Sequence, residues 1–330
     1  MYRGQLTRRG FEQHHSLGAF LRRRYVREAG FLPVAYHEKN SNLFLRSTSF
    51  ERTIESLQGL LTGLYPHTER AHGTAGQFVI HTRAHEQENL VWNPMTCPRM
   101  RGIEKEWRSS PQGQEVYKKL EELLGDSHYS EVTWHELFST LESLYVSGHE
   151  LPPGIDESHF GLIRHYTNVE AQHWPGSAEA AKLSLGNWLH ELLHLWNSRK
   201  PNNRHMQIFS AHDHTIVPLL RIFGLDVWHP NMASCLIMEL YREEETRKRF
   251  IHILLNGEEQ NLPLKSHHGR HFFDYDDFCK LVEPYLVSSR DEYFRLCGGT
   301  DRYAGHHPPP PSEEKHQHHH DNHRHGKHHK

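Results

Sequence analysis

The stretch NLFLRSTSFERTIESLQGLLTGLYP, residues Asn42–Pro66, decides the fold of this chain. Its first five residues, Asn42–Arg46, predict a short strand. Thr48 is followed three residues later by Glu51, which is the pattern of a capping box with Thr48 as the helix N-cap. Apolar residues then recur at helical spacing as far as Leu64. The stretch therefore predicts a strand, a tight turn and a helix.

A second unit of the same kind follows later in the chain. Met206–Ser210 (MQIFS) predicts a buried strand, and a helix is expected to begin near Thr215 and to end before Gly224. Cys235–Tyr241 and Phe250–Asn256 predict two strands that form a hairpin. Because strands alternate with helices, we predict an α/β fold with a mixed central sheet and helices on both faces.

Composition divides the chain into three parts. Residues 97–180 are polar, are interrupted by proline and have a mainly helical pattern, which predicts an inserted helical cap lobe. Residues 1–96 and 181–303 would then form a discontinuous α/β core. Residues 304–330 contain ten of the 33 histidines and almost no apolar residue, so we expect a disordered tail. Loose metal binding by this tail is the alternative interpretation.

Charge and hydropathy exclude several classes of protein. With 38 basic and 41 acidic residues, the formal net charge is −3, which gives no overall attraction to nucleic acid or to an anionic membrane. The sequence contains no run of about 18 apolar residues that could span a bilayer. The first residues, MYRGQLTRRGFEQ, also lack the apolar core of a signal peptide. Any site for an anion must therefore be local.

Polar residues follow the carboxyl ends of two predicted strands. Arg46 ends the first strand, and His212 and Asp213 come directly after MQIFS, in each case just before a helix. Helix N-termini at this edge of an α/β sheet favour anions. Arginine and histidine can bind phosphate oxygens, and a carboxylic acid can protonate a leaving alkoxide, so the set suits phosphate ester cleavage. The alternatives are a structural ion pair for Arg46 and a helix cap for Asp213.

His190, Glu191 and His194 form an H-E-x-x-H pattern, which could bind zinc and use the glutamate as a base. In a chain this rich in histidine and glutamate, random order alone gives about 0.3 such matches. No third ligand follows at metalloprotease spacing, and the neighbouring leucines and tryptophans predict ordinary packing of this helix. A zinc hydrolase is the least favoured hypothesis, and we expect no metal and no other cofactor.

Three stretches, GQLTRRGFEQHHSLGAFLRRRY (Gly4–Tyr25), LRSTSFERTIESLQGLLTGLYP (Leu45–Pro66) and SAHDHT (Ser210–Thr215), carry a resemblance to a known family. They resemble the G-x-L-T helix, the R-S-T-x-x-x-R-T segment and the H-D motif of the histidine acid phosphatases, in the order found in that family. The resemblance covers nearly the whole chain except the tail. It implies the fold of branch 2 of the histidine phosphatase superfamily.

The resemblance implies hydrolysis of a phosphate monoester in two steps through a phosphohistidine, without a cofactor. Arg46 and His212 would bind phosphate oxygens, and Asp213 would be the proton donor. Arg52, the second arginine of the R-S-T segment, is expected to be structural because it lies on the helix rather than at its tip. A lysosomal or extracellular location and a homodimer are expected by family analogy only.

The sequence departs from the family in one respect. Family members carry R-H-G-x-R-x-P on the first central strand, and its histidine is the nucleophile; this motif occurs nowhere in the 330 residues. His14 and His15 lie within the following helix, and His268–Arg270 lacks the context of a strand. We therefore expect that the first central strand is missing, that the chain is truncated at its N-terminus and that it is inactive by itself. The alternative is a noncatalytic phosphate-binding relative.

The four cysteines lie far apart and form no C-x-x-C pair, which argues against a cysteine zinc site. Cys97 and Cys297 match positions that are bridged in the family, so the resemblance implies a disulfide between them. Cys235 matches another bridged position, whose partner the chain lacks. Whether Cys235 pairs with Cys279 is left open.

Overall fold

A computed structural model describes residues 4–40, 42–125, 132–198 and 206–298. Met1–Thr300 forms one compact unit, and the predicted tail lies outside the described residues. The helices are α1 (Arg8–Leu21), α2 (Glu51–Leu64), α3 (Pro98–Ser109), α4 (Pro111–Leu124), α5 (Trp134–Val146), α6 (Glu157–His173), α7 (Ala178–Asn197), α8 (Asp213–Ile222), α9 (Tyr275–Val282) and α10 (Arg290–Cys297). The strands are β1 (Leu43–Ser47), β2 (Ile80–His81), β3 (Met206–Ser210), β4 (Leu236–Arg242), β5 (Arg249–Leu255), β6 (Glu258–Glu259) and β7 (Phe273–Asp274).

Strand β1 lies between β2 and β3, and all three run parallel. The register pairs Leu43 with Met206 and continues to the pair of Ser47 with Ser210. Helix α2 follows β1, and α8 follows β3, so both predicted strand-turn-helix units are present. Since the two strands are parallel and in register, the turns that follow them come together at one edge of the sheet.

Strands β4 and β5 form the predicted antiparallel hairpin, and β6 and β7 pair with β5. Successive residues of β3 face different apolar clusters: Ile208 packs with the residues of α2, and Phe209 packs with those of α7 and α9. Helices therefore cover both faces of this sheet, and the predicted α/β class is confirmed.

The strands form two sheets rather than one. Among the described residues, β3 pairs only with β1, and β4 pairs only with β5 and not with β3. Even so, the two sheets share their apolar layers, because Ile208 of β3 and Ile237 of β4 pack in the same cluster. In the described residues, side-chain packing thus connects the two sheets without a backbone ladder between β3 and β4.

The predicted capping box is wrong. Helix α2 begins at Glu51, its N-cap residue is Phe50, and no side chain caps it. Thr48 lies two residues before the N-cap position, and its hydroxyl bonds instead to Thr53 and to His212. The helix predicted near Thr215 also begins earlier, at Asp213.

Helices α1 and α2 pack with their backbones in close approach. A Cβ atom at Gly18 would lie 1.9 Å from the carbonyl oxygen of Leu60, and one at Gly63 would lie 2.0 Å from that of His15. Any side chain at either glycine would therefore collide with the opposite backbone. This contact fixes α1 on the helix that follows β1.

Residues 97–180 contain the helices α3, α4, α5 and α6, which is the predicted helical character of that segment. They share an apolar cluster that includes Trp107, Trp134 and Phe138 and that continues into Leu183 of α7. None of the described helices is both long and apolar enough to cross a membrane.

The structure contains a disulfide between Cys97 and Cys297, the pair that the resemblance implies. It links the start of α3 to the end of α10 within the same apolar cluster. Cys235 and Cys279 are free thiols, so the pairing left open above does not occur. Burial raises the pKa of the Cys235 thiol to about 11.

A buried polar network connects the hairpin to the π-helical segment Arg22–Glu28, which follows α1. Glu239 of β4 receives two hydrogen bonds from the guanidinium of Arg24, at 2.8 and 2.9 Å, and one from the Tyr25 hydroxyl at 2.5 Å. His252 of β5 lies 2.9 Å from the same carboxylate. Burial by itself raises the pKa of Glu239, but hydrogen bonds from Arg24, Tyr25 and His252 outweigh it and hold the pKa at about 2.

We predict that Glu239→Gln lowers the free energy of unfolding at pH 7 by about 2 kcal/mol or more, because it leaves Arg24 without its buried anion. The folded pKa of about 2 lies below the ordinary value of 4.5, so ionised Glu239 stabilises the fold above pH 4.5. That contribution is lost as the pH falls from 4.5 towards 2. Thermal unfolding measured between pH 4.5 and pH 2 checks this. The difference in the free energy of unfolding between variant and wild type should become smaller as the pH falls, and a difference that stays constant would contradict the assignment. Glu244→Gln, in the exposed turn, is the control.

We predict that replacing both Cys97 and Cys297 with serine lowers the free energy of unfolding by about 2 to 5 kcal/mol. The bridge joins residues 200 positions apart, so its loss frees a very long loop in the unfolded chain. Guanidinium unfolding of the double variant checks this. Cys235→Ser, which removes a free thiol, is the matched control, and an equal midpoint for double variant and wild type would refute the prediction.

Candidate active site

Arg46 lies at the carboxyl end of β1 and is 3% exposed. Its Nη2 donates to Oε1 of Glu88 at 2.6 Å and to Oδ1 of Asn89 at 2.9 Å. The backbone N–H groups of Asn89 and Leu90 donate to the same Glu88 oxygen. Arg46 thus makes the ion pair considered as its alternative role, while its buried Nε has no partner among the described residues. One donor of its fork is therefore still unused.

His212 is the N-cap residue of α8 and lies across the strand ends from β1. Its Nε2 is 3.0 Å from the hydroxyl of Thr48, and its ring meets the edge of the Phe50 ring. Burial, with a smaller contribution from the positive charge of Arg52, lowers the pKa of His212 to about 4. The imidazole is therefore neutral above that pH and has one N–H to donate. Arg52 itself is exposed and stacks on Phe50.

Asp213 is the first residue of α8, and its side chain is partly exposed. Its Oδ1 accepts a hydrogen bond from the backbone N–H of His214 at 2.8 Å. Its Oδ2 lies 3.0 Å from Nε2 of His229 and 3.4 Å from Nδ1 of His135. Burial alone would raise the pKa of Asp213, but the surrounding histidines, His214 first, hold that pKa well below its ordinary value. In the free site this carboxyl is ionised.

Three histidines at this site escape sequence reasoning. His135 comes from α5, His214 follows Asp213, and His229 lies in the segment after α8. Trp92 donates from its indole Nε1 to Nδ1 of His214 at 3.3 Å. In a chain with 33 histidines, no spacing marks these as special, because they meet only through tertiary packing.

A short segment connects the two strand ends. Glu88 holds Arg46, as described above, and the carbonyl oxygen of Leu90 accepts a hydrogen bond from the Thr215 hydroxyl on α8. Thr48 and His212 provide the second link between the turns. The structure therefore brings Arg46, His212 and Asp213 to one edge of the sheet, supported by residues 88–90.

The H-E-x-x-H pattern lies on α7. His190 is half-buried, His194 is exposed, and Glu191 pairs with Arg83 at 2.7 Å. No third histidine, cysteine or carboxylate joins the two histidines in the described part of the chain. The one group of three ligand-type side chains found there is His135, Asp213 and His229.

Chemically, this edge offers three functions. A buried guanidinium and a neutral imidazole can bind an anion, and the positive end of the α8 helix dipole lies at the same place. A carboxyl group next to them can transfer a proton.

Comparison with known proteins identifies the family of this chain. The sequence pattern of the histidine phosphatase superfamily (branch 2) matches residues 2–143. Lysophosphatidic acid phosphatase type 6 of Bos taurus is 30% identical over 312 residues, which cover 90% of this chain and 70% of that protein. Lysosomal acid phosphatase of Homo sapiens is 27% identical over 321 residues, which cover 90% of this chain and 73% of that protein.

Solved structures with the same fold include phytases. Klebsiella sp ASR1 phytase superposes with a TM-score of 0.67 at 13% identity and covers 91% of this chain and 89% of its own. Hafnia alvei phytase in complex with tartrate gives a TM-score of 0.63 at 16% identity, with coverage of 90% and 89%. These likenesses concern the fold, and the sequence relatives identify the family. The chain belongs to branch 2 of the histidine phosphatase superfamily.

Proposed function

We propose that this chain carries the phosphate-binding and proton-donating part of a phosphomonoester hydrolase. One observation supports this above others. The parallel register of β1 and β3 ends with the Ser47–Ser210 pair, so Arg46 near the end of β1 and His212 and Asp213 just beyond β3 lie at the same edge of the sheet, where Thr48 bonds to His212.

Phosphate binding falls to Arg46 and His212. The fork of Arg46 has an unused buried donor at Nε, and an arginine fork matches two phosphate oxygens. His212, with a pKa of about 4, is neutral at about pH 5 and donates one N–H. The N-terminus of α8 supplies further attraction for an anion. A phosphate monoester is the ligand class that fits these donors.

Asp213 is the proposed proton donor. In the free site its pKa is held low by the histidines, which favours the ionised carboxylate. A phosphate anion bound beside it would act in the opposite direction, because a second negative charge raises the pKa of a carboxyl. Substrate binding would therefore load Asp213 with the proton that the leaving alkoxide needs. The hydrogen bond with His229 holds the carboxyl in place.

The nucleophile is the missing part. Since R-H-G-x-R-x-P does not occur in the 330 residues, we propose that this polypeptide binds a phosphate monoester but does not hydrolyse it by itself. A strand with that motif would fit between the edges of β3 and β4, which share apolar clusters but no ladder. Noncatalytic phosphate binding is the second candidate, and the same absence of the motif favours it.

Three further features belong to this proposal. The Cys97–Cys297 bridge is typical of an oxidising compartment, which supports a lysosomal or secreted location. Residues 97–180 would form the cap lobe over a discontinuous core of residues 1–96 and 181–303. A homodimer is proposed by family analogy alone.

Phosphate affinity tests the binding half of the site. We predict that Arg46→Lys weakens the binding of inorganic phosphate by about tenfold or more, since lysine keeps the charge but loses the fork. Titration calorimetry at about pH 5 measures this, and His212→Gln should weaken binding as well. Arg8→Gln, which breaks the exposed pair with Glu12, is the control. Equal affinity in Arg46→Lys, His212→Gln and wild type would rule out this binding site.

Measurements of turnover test the proposed roles of the nucleophile and of the proton donor. We expect no hydrolysis of p-nitrophenyl phosphate by the 330-residue chain at about pH 5, and hydrolysis once an N-terminal R-H-G-x-R-x-P strand is added. In the extended protein, Asp213→Asn should remove most of kcat, because a neutral amide cannot protonate the leaving group. Unchanged kcat would eliminate Asp213 as donor. Hydrolysis by the unextended chain would show that the nucleophile lies within it.

A further inference from the structure

We propose that His135, Asp213 and His229 form a zinc-binding site. Three different parts of the chain supply its ligands: the start of α5, the start of α8 and the segment that follows α8. One atom of each side chain points to a common position, and these three atoms all lie within 4.8 Å of one another.

The spacing of the three atoms matches a metal site. Nδ1 of His135 and Nε2 of His229 are 2.8 Å apart, and Oδ2 of Asp213 lies 3.0 Å from the second and 3.4 Å from the first. A tetrahedral zinc ion with bonds of about 2.0 to 2.1 Å keeps its ligand atoms about 3.3 Å apart. Movements of a few tenths of an ångström would therefore be enough to ligate the ion.

Hydrogen bonding alone does not satisfy this triangle. Each edge joins two atoms that both have a lone pair to offer, and one proton can satisfy only one edge at a time. If His229 donates its Nε2–H to Asp213, Nδ1 of His135 faces a nitrogen whose proton is already engaged. A divalent cation at the centre accepts all three lone pairs together. The convergence of two imidazole nitrogens and a carboxylate oxygen is thus better matched to a metal ion than to a proton.

The ligands are held by rigid contacts around them. The backbone N–H of His135 donates to Glu170 at 2.8 Å, and that of His229 donates to Asn168 at 2.9 Å. The ring of His229 packs against the edge of Phe138. Both supporting polar residues lie on α6, so one helix positions both histidines. Preorganisation of this kind lowers the entropic cost of metal binding.

The site is accessible and leaves room for a further ligand. The side chains of His135 and Asp213 are 25% and 28% exposed, while that of His229 is 6% exposed. An ion would enter past the first two and rest against the third. Two histidines, one carboxylate and an open position are a known zinc donor set, and imidazole nitrogen favours zinc over magnesium or calcium.

The role of this zinc site in regulation rests on the proposed function. Zinc bound here would occupy the Asp213 oxygen that the proposed mechanism needs for the leaving group. The bound ion would also add positive charge next to Arg46 and His212, so it would not expel the phosphate anion. The zinc site is therefore inhibitory: it removes the proton donor while leaving phosphate binding in place.

Calorimetric titration with zinc tests the proposal. The ten histidines of residues 304–330 are first replaced with glutamine in the full-length chain, so that the tail does not bind the ion. We expect one zinc ion per chain, with affinity about tenfold or more weaker in His135→Gln and in Asp213→Asn. His229→Gln serves as a third variant. Because His229 is buried, circular dichroism first checks that this variant is folded. X-ray absorption of the zinc complex should show nitrogen and oxygen ligands.

His190→Gln is the matched control, because it removes a half-buried histidine from the rival H-E-x-x-H pattern. Loss of zinc binding in this variant alone, or undiminished binding in both His135→Gln and Asp213→Asn, would overturn the proposed site. Phosphate titration of the same samples reports on the proposed function separately. Phosphate binding should persist in His135→Gln. Zinc binding without any phosphate binding would leave the metal site standing and defeat its inhibitory role together with the proposed function.

Discussion

The parallel pairing of β1 with β3 is the interaction on which the other features of this site depend. Strands distant in sequence are aligned from Leu43 with Met206 to Ser47 with Ser210, so their following turns meet. A shift of one residue would turn each side chain to the opposite face of the sheet. It would also separate Thr48 from His212, whose bond joins the two turns. The geometry of the anion site is therefore a consequence of strand register.

Local patterns in the sequence were enough to predict both strand-turn-helix units, the hairpin and the position of Arg46, His212 and Asp213 at strand ends. These features follow from the periodicity and end signals of single elements. The partners of these residues could not be predicted in the same way. Glu88, His135 and His229 reach the site from separate segments, and packing over long distances decides where they lie. At Thr48 a local pattern gave the wrong prediction. Its spacing predicted a capping box, but its hydroxyl bonds to Thr53 and His212 instead.

The two sheets are held together by side chains. Ile208 and Ile237 lie in one apolar cluster although no backbone ladder joins their strands in the described residues. Glu239 of β4 is bonded to Arg24 and Tyr25 in the π-helical segment that follows α1. Apolar packing tolerates changes of spacing, whereas a bidentate ion pair fixes orientation. The hydrogen bonds of Glu239 therefore fix the orientation of the β4–β5 hairpin, since no backbone pairing between β3 and β4 does so in the described residues.

The ion pair between Arg46 and Glu88 has a consequence for exchange of ligands. Glu88 is an internal anion tethered beside the guanidinium, and two backbone N–H groups hold its carboxylate there. A free anion must therefore compete with a carboxylate whose effective concentration is far above that of any solute in solution. Such competition lowers the apparent affinity of Arg46 for inorganic phosphate, because only the sites that Glu88 has left open can bind it. Glu88 therefore limits how tightly this edge of the sheet can hold a free anion.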